Sequence, residues 1–200
     1  MSSSGADGTT RTVARVQQTA AQQTADRQTA DPQGTTHRRR ADHGAATPAT
    51  LALTAAGVPF VAHTYAHDPR ATSFGSEAAV KLGVAPERLF KTLLAEVDGE
   101  LVVAVVPSSG SLDLKALAAA AGGKRAAMAD AALAQRRTGY VVGGISPLGQ
   151  RTRHRTFLDL SAVLAPTILV SGGRRGFSVE LAPDDLLTLT GGEYAEIGAP

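Results

Sequence analysis

One lysine stands on the more apolar face of the run RLFKTLLAEV at 88–97. Read as a strand, the run puts Leu89, Lys91, Leu93, Ala95 and Val97 on one face, because strand side chains alternate with a period of two. An ammonium buried there without a partner is costly, so Lys91 either reaches water from a strand end or faces a pocket. Two glycine loops are the other places where chemistry fits. In TGYVVGGISPLGQ at 138–150, Gly143 and Gly144 have no Cβ, so the backbone can approach a ligand and point N–H groups at an oxyanion or phosphate. SGGRRG at 171–176 adds the cations of Arg174 and Arg175. Together the loops can frame one donor-rich site, although each alone reads first as a plain turn. Neither has the spacing of a P-loop or a dinucleotide fingerprint.

Other chemistries find little support. His63 and His67 stand four apart, but no third ligand follows at a metal-site spacing, so no metal or other cofactor is expected. There is no G-x-S-x-G elbow and no serine recognisably paired with a histidine and an acid. The absence of cysteine removes disulfides, thiolate zinc sites and a protein thiol nucleophile, and fits a reducing cytoplasm. Tyr65 and Phe74 read as core aromatics by default, or as a stacking or pocket-lining pair.

The elements that must position these residues follow from caps, stops and alternation. Thr47 caps a helix over 48–56 with Pro48 in its first turn, and Gly57 ends it. A strand at 60–65 precedes a helix over 73–82, capped by Ser73 and stopped by Gly83. Strands at 89–97 and 101–106 flank Asp98-Gly99, a hairpin pair that accepts positive φ. Helices are predicted over 113–121, 130–136 and 183–189, and strands over 156–159, 167–171, 177–181 and 193–197. Hairpins interspersed with helices imply an α/β domain around a mixed, curved sheet.

With 43% hydrophobic residues in 200, the chain supports one core plus a tail. Residues 1–46 are poor in large apolar side chains and carry the near-repeats QQTA, QQTAD and RQTAD, so they are expected to be disordered, with the folded domain over 47–200. No apolar run is long enough for a membrane helix and no secretory h-region opens the chain, so a cytoplasmic protein is expected. Charge is uneven: 124–175 holds nine Lys or Arg against two acids, which suits a polyanionic partner or else a solvated face balanced elsewhere.

Taken in order, HTYAHDPRATSFGSEAA, FKTLL, RTGYVVGGISPLGQ and VSGGRRG resemble the YbaK family of aminoacyl-tRNA deacylases, relatives of the editing domain of some prolyl-tRNA synthetases. The resemblance spans essentially 47–198 and none of the tail. It implies a mixed α/β fold with a barrel-like curved sheet and surrounding helices, and trans-editing of mischarged aminoacyl-tRNA, above all Cys-tRNA(Pro). It further implies that Lys91, Gly143 and Gly144 carry the chemistry and that Tyr65, Phe74, Thr92 and Ser171 line the pocket. The substrate's own thiol would attack its carbonyl. Arg151, Arg153, Arg155, Arg174 and Arg175 are the expected tRNA contacts, and prolyl-tRNA synthetase is a candidate partner. Ser178 stands where some relatives carry an aspartate, so a role needing that carboxylate does not transfer. Two other readings stay open: a deacylase for another amino acid with attack by water, and a non-catalytic tRNA- or nucleotide-binding module.

Overall fold

A computed structural model describes residues 46–71 and 73–200; the disorder expected of the tail lies outside the described residues. Helix α1 (Pro48–Ala55) opens on a reciprocal cap, the Thr47 hydroxyl accepting the Thr50 N–H and the Thr50 hydroxyl accepting the Thr47 N–H. β1 (Val61–Thr64) leads to α2 (Phe74–Leu82), which Ser73 caps and Gly83 ends at φ +64°. β2 (Phe90–Val97) and β3 (Glu100–Pro107) turn at Asp98 and Gly99, φ +48° and +91°, the two left-handed residues that a tight hairpin requires. β4 (Ser111–Leu112), α3 (Leu114–Ala120), β5 (Ala126–Met128) and α4 (Ala131–Thr138) follow, the two helices capped by Asp113 and Asp130. The chain closes with β6 (Arg155–Asp159), β7 (Ile168–Arg174), β8 (Phe177–Leu181), α5 (Pro183–Thr190), β9 (Glu193–Ala195) and β10 (Gly198–Ala199).

The sheet is mixed, as the hairpin-and-helix pattern implies. It is not one barrel: among the described residues the strands form a five-stranded sheet ordered β5-β2-β3-β6-β9, a three-stranded sheet ordered β1-β8-β7, and the pair β10-β4. The pairings β5-β2 and β2-β3 are antiparallel, whereas β3-β6 and β6-β9 are parallel. A single parallel bridge, Leu89 to Leu169, joins the two larger sheets where a barrel would need a full ladder. Between them lies the main core, in which Phe90, Leu94, Val103 and Val105 meet Val170, Phe177, Val179 and Leu181. The other face of the five-stranded sheet packs Ala95, Val97, Val102 and Ala104 against Leu117 and Ala118 of α3. β3 is buried on both faces, which explains its unbroken apolar run LVVAVV.

Outside the core, a polar clamp fastens the small sheet to the start of β2. The Glu180 carboxylate accepts from Arg88 Nη2 at 2.7 Å and Thr167 Oγ1 at 2.6 Å and meets His63 Nε2 at 2.8 Å. Burial alone would push Glu180 up, but the hydrogen bonds from Thr167, His63 and Arg88, with the Arg88 charge, outweigh it and hold the carboxyl below its usual range. A depressed folded pKa contributes stability above the unfolded value and loses it as pH falls through the folded one. Glu180→Gln is therefore expected to cost about 1 kcal/mol at pH 7. The melting-temperature gap from wild type should close below about pH 4; a gap independent of pH would contradict the charged clamp.

Candidate active site

The cavity originates in an incomplete edge. Along one side β2 is paired with β3 from Phe90 to Val97; along the other, β5 pairs only with Ala95 to Val97, and β7 makes a single backbone bridge, Leu89 to Leu169. The Ala129 N–H still reaches the Leu94 carbonyl at 3.0 Å, so Phe90 to Leu93 form the uncovered edge, and a cavity of about 360 Å³ opens over it. Residues from both faces of β2 reach it, Lys91 and Leu93 from one and Phe90, Thr92 and Leu94 from the other.

Of the expected site residues, Tyr65, Phe74, Lys91, Thr92, Gly143, Ser171 and Arg174 line this one cavity. Ser178 lies in the same wall, directly across the strand pair from Ser171. Gly144 sits behind the wall: a Cβ there would come within 2.8 Å of the Arg174 Cα. The two glycine loops thus touch, and Arg175 ties them further by donating from Nε and Nη2 to the Val142 carbonyl at 3.0 and 2.9 Å. Tyr140 anchors the first loop from below, its hydroxyl donating to the Leu148 carbonyl at 2.7 Å. The second loop is not a simple turn, since β7 continues through it to Arg174 with an irregular register after Ser171.

Phe74 is held on three sides. A Cβ on Gly143, whose φ is +84°, would lie 2.8 Å from the ring; the Arg175 guanidinium stands 5.0 Å from its centroid, and the His67 ring packs at 5.7 Å. His67 is itself fixed by Glu77 at 2.8 Å, while His63 belongs to the Glu180 clamp. Each histidine is matched to a different glutamate, and no group of three metal-ligating side chains occurs among the described residues.

The electrostatics are one-sided. Burial holds Lys91 below the usual lysine range; its ammonium donates to the Gly110 carbonyl and has no carboxylate within ion-pair reach among the described residues. Burial first, and then the negative charge of Glu77, raise Tyr65 above the usual phenol range, so it is a hydrogen-bond donor at neutral pH. The lining contains no Asp, Glu or His, the side chains most often used as a general base. It does contain two buried hydroxyls without a protein partner, Thr92 Oγ1 and Ser108 Oγ. Buried polar atoms are nearly always satisfied by protein, ordered water or a bound molecule, so both hydroxyls are open to a ligand or a water in the cavity. Ser108 was not evident from sequence; its signal is the polar turn PSSG ending an apolar strand beside the lysine strand.

Arg151, Arg153 and Arg155 do not join this cavity. Arg155 pairs with Val102 on β3 whereas Lys91 pairs with Val106, which sets them about 13 Å apart along the strand direction. Their guanidiniums are partly engaged by backbone: Arg155 donates to the Ala121 carbonyl at 2.9 Å and Arg153 to that of Thr190 at 3.3 Å.

Both the sequence and the fold resemble those of known proteins. Residues 67–189 match the model of the aminoacyl-tRNA editing domain. A curated protein of Enterococcus faecalis (strain ATCC 700802 / V583), named "Putative Cys-tRNA(Pro)/Cys-tRNA(Cys) deacylase EbsC", is 43% identical over 121 residues, covering 60% of this chain and 73% of that protein. Two crystal structures share the fold at 24% identity. "Hypothetical protein APE2540" has a TM-score of 0.68, covering 76% of this chain and all 100% of its own. A "putative trans-editing enzyme for prolyl tRNA synthetase" has a TM-score of 0.65, covering 78% of this chain and 100% of its own. Among the described residues no helix is long and apolar enough to cross a membrane.

Proposed function

The chain belongs to the aminoacyl-tRNA editing domain family, and from that premise we propose that it is a trans-editing deacylase whose substrate is Cys-tRNA(Pro). The observation that carries the finer reading is the lining itself: cations and hydroxyls, with no carboxylate or imidazole. An aminoacyl ester is already activated, so positioning and donors aimed at the developing oxyanion suffice if the nucleophile arrives with the substrate. In this reading the cysteine thiol loses its proton to solvent and the thiolate attacks its own carbonyl carbon. The C–S bond forms, the ester C–O bond breaks, and the ribose oxygen takes up a proton. The product is a cyclic thioester that water then opens. Lys91 and the unpartnered hydroxyls bind and polarise; the backbone of Gly143 holds the ester end, with Gly144, expected beside it, packed behind the wall and its N–H given to the Val141 carbonyl at 2.9 Å, and Tyr65, Phe74, Thr92 and Ser171 seat the aminoacyl-adenosine. The deacylase domain is residues 47–200, with the tail dispensable, and the site of action is the cytoplasm, with recruitment by prolyl-tRNA synthetase.

A deacylation panel tests this. Cys-tRNA(Pro) is expected to turn over while Ser-tRNA and Ala-tRNA(Pro) survive, since a hydroxyl or methyl cannot replace the thiolate. Comparable loss of the alanine ester would point to attack by water, and no turnover of any ester to a binding module. For the tRNA path, Arg174 lines the cavity and Arg175 packs on Phe74 beside it, and replacing both with Gln should flatten the salt dependence of tRNA binding by a log–log slope of roughly 1.5. Replacing Arg151, Arg153 and Arg155 with Gln should flatten it further; an unchanged slope would confine the path to the cavity mouth.

A further inference from the structure

The acceptor that holds Lys91 is a backbone carbonyl in the turn after β3, and that turn does not stand alone. A Cβ on Gly110 would lie 2.4 Å from the Ala199 carbonyl oxygen, so β10 is seated directly against it. β10 pairs antiparallel with β4, Gly198 with Leu112 and Ala199 with Ser111, and the Asp113 N–H donates to the Ile197 carbonyl at 2.8 Å. What fixes β10 in turn is one buried carboxylate. Asp159, at the end of β6 and 7% exposed, accepts through Oδ2 from the Gly198 N–H at 2.6 Å and the Ile197 N–H at 3.1 Å. Through Oδ1 it accepts from the Ser161 N–H at 3.1 Å and the Ser161 hydroxyl at 2.5 Å. Gly198 has no room for a side chain, since a Cβ would fall 2.9 Å from Oδ2.

We infer that Asp159 is a positioning residue for the reaction: through β10 it sets the Gly110 carbonyl that aims the Lys91 ammonium. The inference rests on the reading of Lys91 given above. An ammonium has three donors on a flexible stem; one is committed to Gly110 and two remain for substrate, so the direction of the free pair follows from the carbonyl's position. Among the described residues the ammonium has no other hydrogen-bond acceptor than the Gly110 carbonyl and no carboxylate in ion-pair reach. A buried carboxylate is costly, and the four donors on Asp159 serve only the Ser161 turn and the strand that backs Gly110.

Asp159→Asn tests it. The amide keeps one acceptor oxygen and turns an NH2 toward either the strand pair or the Ser161 pair, so β10 loosens while the core stays filled. In single-turnover deacylation of Cys-tRNA(Pro), the first-order rate at saturating enzyme should fall about ten- to a hundredfold, with the half-saturating enzyme concentration unchanged. In 1H–15N spectra of side-chain ammonium groups, the Lys91 signal, assigned by its absence in Lys91→Arg, should vanish or broaden. Gly57→Ala serves as the control: it strains the turn after α1, where a Cβ meets nothing within 4 Å, and should alter neither readout. If Asp159→Asn does not fold, Gly110→Ala carries the test, since its Cβ meets the Ala199 carbonyl and displaces the same acceptor. A folded variant with the wild-type rate, or a slowed one whose Lys91 signal is unmoved, overturns the inference. Full activity of Lys91→Ala would instead remove the role of Lys91, while the spectra would still report whether Asp159 holds the ammonium.

Discussion

Lys91→Ala is expected to lose about a hundredfold or more of Cys-tRNA(Pro) deacylation, the scale seen when one preorganised donor to a developing oxyanion is removed. The fold should not suffer. Lys91 is partly desolvated and held by one neutral carbonyl, so truncation removes an ammonium that burial disfavours and leaves no charged partner behind. Melting temperature should stay level or rise, and this opposition of sign separates the reading from a lysine that only reaches for water, whose loss would leave turnover intact. Lys91→Arg keeps the charge, yet its larger planar fork cannot take the same place in a 360 Å³ cavity that Tyr65, Phe74 and Thr92 also line. A partial rate, below wild type and above Ala, is expected. Single-turnover hydrolysis with thermal melts on all three proteins decides the matter, and near-wild-type turnover by Ala would remove Lys91 from the mechanism.

The lysine strand was legible because its neighbour β3 is set by a local rule. Asp98-Gly99 fixes the β2–β3 hairpin, and the hairpin register places Lys91 opposite Val106 near the open end of the sheet. Caps at Thr47 and Ser73, and the glycine stop at Gly83, are equally local. β4, β5 and β10 were not legible: they are two or three residues long, and Ala126–Met128 has little strand propensity, so only tertiary pairing makes them strands. The same limit applies to charge. A local excess of cations over 124–175 reads as one patch, but β6 carries Arg155 toward the hairpin end while β7 delivers Arg174 to the cavity. Nor does sequence show that the uncovered edge of β2 is what makes the pocket, since that depends on how little of it β5 and β7 reach.

The glycine loop offers a matched pair of substitutions that separates conformational cost from damage to the site. Gly57 and Gly143 both hold positive φ, +67° and +84°, so alanine at either incurs a backbone penalty of about 1 kcal/mol. A Cβ on Gly57 meets nothing within 4 Å, whereas one on Gly143 lies 2.8 Å from three carbons of the Phe74 ring. Phe74 cannot easily retreat, because Arg175 and His67 pack on it and Arg175 is tethered to Val142 of the same loop. Either the ring moves into the cavity or the loop withdraws from β7, and both displace groups that meet the substrate. Gly143→Ala is therefore expected to lower stability by about 1–3 kcal/mol more than the backbone penalty alone. It should also cut deacylation about tenfold to a hundredfold, as misplacement of a positioned reactant does. Gly57→Ala should lower the melting temperature and leave the single-turnover rate where it was. Equal rates in the two variants, both folded at the assay temperature, would show that the loop is only a turn and that Phe74 does not shape the site.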